Sequence, residues 1–167
     1  MPAALLVCGS GTPPVIVRLI AVDRLRSPQI AALCDELRKR LVSYHPYAEI
    51  EVRAGDGKDP RAAMRDEAAR IMRHVRADDR MWLLERGGTE LASEELAQRL
   101  EGVRSTGAQR LTLVVAGTYG ADASLKVRAE FHWSLSRLTF LHEWARALVL
   151  EQLYRAAKIA RNEPYHK

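Results

Sequence analysis

The residues whose types could do chemistry gather in the second half of the chain, where His142 and Arg146 stand about one helical turn apart at the start of a long periodic segment. Counted at about 100° per residue, Arg146 projects among Val149, Leu150, Leu153 and Ala157, which sets a guanidinium in the middle of an apolar face. Such a charge needs an anion. Its place in the first turn of a helix, where the macrodipole disfavours a cation, sharpens the need. A phosphate or a neighbouring carboxylate would meet it, and so would an inter-subunit salt bridge or a snorkelling side chain. An imidazole at 142 could move a proton, although a first-turn histidine also serves for packing or capping, and Trp144 beside it is equally open.

Gly117-Thr118-Tyr119-Gly120 is the next candidate, directly after Leu111–Val115 (LTLVV), the most strand-like run in the chain. Glycine lets a backbone approach a ligand closely and adopt positive φ; a plain strand-to-helix turn uses the same residues, so both readings stand at this point. Gly87-Gly88 and Gly55-Asp56-Gly57-Lys58 lack the spacing and the Ser/Thr of a phosphate-binding loop. No GxSxG, HExxH or paired-carboxylate motif occurs. The two cysteines, Cys8 and Cys34, are too few for a disulfide framework or a zinc site, which predicts no metal and a reducing, cytoplasmic setting.

The elements that must position these residues alternate. Val15–Val22 reads as a strand, and Ser27-Pro28 opens a helix to Leu41. Ala48–Val52 is a second strand, and Asp59-Pro60 starts a helix with Ala63, Ala68, Ile71, Met72 and Val75 on one stripe. Met81–Leu84 is a buried strand ending in Glu85-Arg86-Gly87-Gly88, and Ser93 starts another helix. After Leu111–Val115, Asp122 caps a short helix to Arg128. Trp133–Phe140 is mixed and loop-like, and a long helix runs from about His142 to Arg161. This order predicts an α/β domain with a mostly parallel sheet and helices on both faces. Ligands then sit at the carboxyl ends of strands, at Leu84–Gly88, Ala116–Gly120 and Ser134–His142.

The chain has 167 residues, which suits one compact domain over residues 15–167 preceded by an extension, residues 1–14, that could add an edge strand at Ala3–Val7. With 47% hydrophobic and 28% charged residues it is globular, and its Arg-heavy charge of +5 suits a partner bearing phosphates. No apolar run approaches the roughly 18 residues of a membrane span, and residues 1–14 lack the basic start and apolar stretch of a signal peptide. Nothing directs export or membrane insertion.

In its last third the sequence resembles a known family. Ser134–Phe140 (SLSRLTF), His142, Arg146, Leu150–Ile159 (LEQLYRAAKI) and Glu163–Lys167 (EPYHK) are similar to the C-terminus of the knotted SPOUT-class enzymes that methylate N3 of a pseudouridine in large-subunit ribosomal RNA. Upstream, Val115–Gly120 looks like that family's IGGxxG loop, and Leu84–Gly88 with Ser93-Glu94-Glu95 like its LDxxGK…SSE segment. The resemblance implies a SPOUT α/β fold with a C-terminal trefoil knot and S-adenosylmethionine as methyl donor. Leu84, Gly117, Ser136, Arg137, Leu138, Thr139, Phe140 and Leu141 would form the donor pocket, its backbone groups reading the adenine edge. It further implies a homodimer with each site completed across the interface, acting on ribosomal RNA or the assembled ribosome. His142, Arg146 and His166 become the catalytic candidates. Tyr154, Arg155, Tyr165, His166 and Lys167 become the RNA-gripping ones, arginines on phosphates and tyrosines on unpaired bases.

Four positions depart from the family pattern: Ala116 for the first glycine of the glycine loop, Leu141 for a proline, Asp23 for a glycine and Thr89 for a lysine. Competing readings are a diverged SPOUT enzyme with another RNA target, a non-catalytic RNA-binding paralogue, and an α/β enzyme acting on a small molecule. Donor binding separates the paralogue from the enzymes. The last reading explains neither the basic balance nor the tail.

Overall fold

The computed structural model describes residues 14–164. The edge strand considered at Ala3–Val7 and the tail residues Tyr165, His166 and Lys167 lie outside the described residues.

Five strands, β1 (Ile16–Val22), β2 (Tyr47–Val52), β3 (Arg80–Glu90), β4 (Arg110–Val115) and β5 (Phe131–Ser134), form one sheet in the order β2-β1-β4-β3-β5. Every pairing is parallel. A sheet covered on both faces demands apolar residues without alternation, and the runs Leu19–Val22, Met81–Leu83 and Leu113–Val115 are buried throughout. One face carries α1 (Pro28–Leu41), α3 (Ser93–Ser105) and α5 (His142–Ala160). The other carries α2 (Pro60–Met72) and α4 (Ala123–Arg128).

The helix starts follow from the capping residues. Ser27 Oγ accepts from Ile30 N at 3.4 Å with Pro28 in the first turn, Asp59 accepts from Arg61 N at 2.9 Å, and Asp122 from Ser124 N at 2.9 Å. β1 continues through α1 to the sheet edge on one side, whereas β4 continues through α4 past β3 to the other edge. The chain therefore changes direction between the carboxyl ends of β1 and β4, which opens the crevice where parallel sheets hold ligands.

Two expectations are corrected. Trp133-Ser134 is not loop: with Phe131 and His132 it forms β5, whose alternation of buried Phe131 and Trp133 with half-buried His132 is too short at four residues to stand out by periodicity. β3 also does not stop at Leu84. It runs through Gly87-Gly88 to Glu90, and its register against β5 shifts between Leu84 and Thr89, so that both pair with Trp133.

Gly88 explains how the strands close over this irregularity. A Cβ there would stand 2.5 Å from His132 O and 2.7 Å from its carbonyl carbon, backbone atoms of the neighbouring strand that cannot turn away. We expect Gly88→Ala to cost about 1–3 kcal/mol in chemical denaturation, the range of an overpacked interior. An unchanged midpoint would mean that β5 is free to move off β3.

Candidate active site

The segments after β3 and β5 are tied to each other. The buried Ser134 hydroxyl lies 3.0 Å from the carbonyls of both Arg86 and Ser136, Ser136 Oγ accepts from Leu138 N at 3.1 Å, and Arg86 donates to Thr139 Oγ1 at 3.4 Å. Arg137 reaches toward Glu90 across 3.7 Å and is otherwise exposed. These contacts place Ser136, Arg137, Leu138 and Thr139 around one rim beside the end of β3, while Leu84 lies within β3 paired with Trp133. Leu138 and Leu141 are 70% and 71% exposed, and Phe140 and Trp144 also present apolar surface to solvent.

The third segment follows β4. Gly117 and Gly120 form a bridge in which Gly120 N donates to Gly117 O at 3.0 Å, and Gly120 takes φ +88°, a value that glycine adopts without strain. Tyr119 OH donates to Gly57 O at 3.3 Å, joining this turn to the loop after β2. Among the described residues only Asp23 and Asn162 combine a side chain with positive φ, so Ala116 occupies backbone space open to any residue. Asp23, at φ +66°, occupies the left-handed region that makes sense of a glycine there; aspartate tolerates it better than most residues. Leu141, the N-cap of α5, has φ −58°, within the range of the proline it replaces.

Arg146 is 1% exposed, and its anion is a pair of carboxylates. Its guanidinium is bonded to Glu49, lies 2.6 Å from Glu51 Oε1 and donates to Asp23 O at 3.1 Å. Glu49 and Glu51 share one face of β2 by the two-residue repeat of a strand. The carboxylate reading is therefore the one the structure supports. These contacts give Arg146 a positioning role within the chain, and its Nε has no hydrogen-bond partner among the described residues. His142, one turn earlier, is half-buried at the mouth of α5, and its Nε2 is enclosed without a hydrogen-bond partner among the described residues. Glu143 fixes this end of the helix by accepting from Ser27 N at 3.0 Å.

Tyr154 and Arg155 are not at this rim. Tyr154 packs edge-on against Tyr44 with ring centroids 5.7 Å apart, and Arg155 pairs with Glu151 at 2.5 Å. The end of α5 reaches the amino ends of the strands, where Ala156, Ala157 and Ala160 meet Val15, Val17 and Leu111. At 1.5 Å per residue Tyr154 lies roughly 18 Å along the helix from His142. Within the chain Tyr154 and Arg155 therefore sit at the opposite end of the sheet from the donor-loop candidates. An open groove of about 510 Å³ between α3 and the start of β3, lined by residues such as Arg80, Trp82 and Arg99, shares no residue with the three rim segments.

A model of a SPOUT methyltransferase family matches residues 15–166. The chain belongs to the SPOUT methyltransferase family. It is 37% identical over 150 residues to a ribosomal RNA large subunit methyltransferase H from Gloeobacter violaceus, covering 90% of this chain and 97% of that one. A protein of the same name from Rubrobacter xylanophilus is 39% identical over 156 residues, 89% of this chain and 96% of its own length. One from Stenotrophomonas maltophilia is 36% identical over 153 residues, 90% and 97% respectively. The parallel five-stranded sheet with helices on both faces is this SPOUT methyltransferase's α/β architecture.

Sequence reasoning missed two groups near the rim of this SPOUT methyltransferase. Glu85, next to Leu84, lies 2.7 Å from His132 Nδ1 and 3.1 Å from Lys126 Nζ. Burial pushes the Glu85 carboxyl up, but His132 and Lys126 outweigh it and hold it below its ordinary value. His132 could not be placed because β5 was not visible as a strand. Glu67, on α2, is buried against Gly117 and accepts from Gly55 N at 2.9 Å. Its signal was available: Ala63, Glu67 and Ile71 fall on one stripe, so a carboxylate interrupts an apolar face as Arg146 does in α5.

Removing Arg146 empties a buried side-chain site and leaves Glu49 to Arg38 and Glu51 to solvent, and we expect Arg146→Ala to cost about 1–3 kcal/mol in chemical denaturation; a loss below about 0.5 kcal/mol would show that α5 does not depend on this ion pair. Burial pushes the Glu49 carboxyl up, yet hydrogen bonds from Arg38 and Arg146 and their charges hold it below its ordinary 4.5. A carboxylate so depressed in the folded state contributes stability that is full above about 4.5 and is lost as pH falls through the folded value. Glu49→Gln should therefore flatten the acid limb of the stability curve, and an unchanged acid limb would assign that limb to other carboxylates.

Proposed function

We propose that this SPOUT methyltransferase transfers a methyl group from S-adenosylmethionine to N3 of a pseudouridine in large-subunit ribosomal RNA, as a homodimer whose sites are each built from both protomers. One observation carries the reading: the donor-side segments and the RNA-gripping end of α5 lie at opposite ends of one protomer, roughly 18 Å apart along the helix. Two copies related by a twofold axis, with α5 antiparallel to its counterpart, bring the tail of one against the rim of the other. Leu33, Leu141 and Trp144, apolar and exposed in the single chain, supply surface for such an interface. The relatives named for large-subunit ribosomal RNA support the substrate, and a ribosomal target makes the cytoplasm the site of action. The knotted passage of the C-terminal segment, implied by the resemblance, belongs to the same proposal. So does the division into residues 1–14 as an extension and 15–167 as the methyltransferase domain.

The rim fits the donor. The Gly117–Gly120 turn is preformed, and Leu138 and Phe140 offer exposed apolar faces to an adenine. Bound there, the donor supplies an activated methyl group. Leu84, Gly117 and residues 136–141 bind and orient it, and the apolar side chains exclude water from the line of attack. The imide nitrogen of the base attacks with loss of its proton; His142, at the mouth of α5, and His166 are the candidates to accept it. Tyr154, Arg155, Tyr165 and Lys167 hold the RNA from the other protomer. In this arrangement Arg155 turns from Glu151 to phosphate when RNA is present.

Mass spectrometry of large-subunit ribosomal RNA from cells with and without the gene is expected to show one methylated pseudouridine that depends on it; an unchanged modification pattern overturns the substrate. Gly117→Val should abolish S-adenosylmethionine binding in calorimetry, and a chain lacking residues 165–167 should bind the donor but fail to methylate. Mixed in equal amounts and allowed to exchange subunits, the two inactive variants should recover about one quarter of the wild-type sites, since half the dimers are mixed and each holds one complete site. No recovery would sink the cross-protomer site.

A further inference from the structure

Four charged side chains are buried among the described residues: Glu67, Asp79, Arg110 and Arg146. Three of them are neutralised inside the protomer. Asp79 and Arg110 pair with each other at 2.5 Å, and Arg146 pairs with Glu49 and Glu51. Glu67, 5% exposed, has no ion pair among the described residues; its one hydrogen bond comes from the Gly55 backbone N–H to Oε1. A carboxylate taken out of water without a counter-ion is expensive, and a protein that pairs its other buried charges has left this one open.

Its position says what it is open to. A Cβ on Gly117 would stand 2.5 Å from Glu67 Oε2 and 2.8 Å from Oε1, so the carboxylate occupies the space that a side chain at 117 would take. Among the described residues, the side-chain polar atoms sealed from solvent without a partner are Arg18 Nε, His142 Nε2 and Arg146 Nε. Oε2 of Glu67 is not among them. It accepts no hydrogen bond among the described residues and is not sealed from solvent, so it remains open to a ligand. Arg70, one turn along α2, does not fill the vacancy: its guanidinium is spent on the carbonyls of Arg53 and Ala54 and reaches toward Asp66.

We propose that Glu67 is a donor-binding residue, the counter-charge for a cationic group of the methyl donor held against the Gly117 turn. This rests on the donor assignment above. S-adenosylmethionine carries two cations, the sulfonium and the α-ammonium of its methionine portion, and a carboxylate separated from the turn only by a glycine hydrogen can serve one of them. Gly117 then has a second purpose: it lets the backbone approach the donor and leaves the carboxylate room beneath it.

Isothermal titration of the intact protein and of Glu67→Gln against three probes tests this. The Gln variant keeps the shape and an acceptor for Gly55 N–H but not the charge. S-adenosylmethionine holds both cations, S-adenosylhomocysteine only the ammonium, and 5′-methylthioadenosine neither. We expect the variant to bind S-adenosylmethionine roughly tenfold or more weakly, as for loss of one member of a buried charge pair, and to bind 5′-methylthioadenosine as the wild type does. A matching loss for S-adenosylhomocysteine assigns the ammonium, and an unaltered affinity for it assigns the sulfonium. Equal weakening of all three probes, or of none, overturns the proposal and makes Glu67 a latch between two loops. Glu67→Asp, which keeps the charge, should retain most of the wild-type preference for S-adenosylmethionine over 5′-methylthioadenosine; collapse of that preference in both variants also overturns it. Failure of the wild-type protein to bind any of the probes would instead reject the donor assignment itself.

Discussion

Arg146 carries its guanidinium into the layer between α5 and the β1–β2 edge, and the arrangement of the candidate site depends on where that charge comes to rest. The apolar contacts of α5, through Ala147, Val149, Leu150, Leu153, Ala156 and Ala157, hold the helix to the sheet without fixing its rotation or height. A guanidinium shared by two carboxylates of one strand and the carbonyl of Asp23 has a direction. A hydrophobic residue of similar volume could hold the helix as firmly, given the cost of desolvating charge. What the ion pair adds is orientation. Because α5 begins at His142, directly after the 134–141 segment, fixing the helix also fixes where that segment meets the end of β3.

Much of this was legible in the sequence because the decisive signals are local. Ser27-Pro28, Asp59-Pro60 and Asp122 start the helices they were expected to start, and the apolar runs at Val15–Val22, Met81–Leu84 and Leu111–Val115 are strands. Arg146's need for an anion followed from a helical projection, but the identity of that anion depended on β2 lying beside α5, which only topology determines. β5 escaped because four residues containing a histidine and a serine carry little periodic signal, and its existence depends on Gly88 admitting the His132 backbone. The rim residues taken from the family resemblance fall on three segments that the sheet's direction also selects. The roles of the individual residues there follow from neither argument alone.

The length of α5 sets the organisation of the site. Its 19 residues span roughly 28 Å, the full height of the sheet, so whatever its two ends bind cannot be the same small volume in one chain. A base that must meet both a donor at the β4 rim and side chains at the end of α5 therefore requires a second copy. The proposed dimer is thus a condition of the chemistry more than of the fold. Each protomer closes its own core, with buried clusters on both faces of the sheet, and leaves apolar surface beside the rim.

The two helices that interrupt their apolar faces with a charge do so to different ends. In α5 the fold supplies the counter-ions, so the cost of burying Arg146 is offset within the chain and the charge serves geometry. In α2 the described residues supply one backbone N–H and no cation, so the charge of Glu67 is left unpaired beside the Gly117 turn. If both were structural, pairing in one and its lack in the other would have no common cause. A distinction by function gives one: a charge meant to hold two elements together is satisfied before any ligand arrives, whereas a charge meant to recognise a cation has to wait for it.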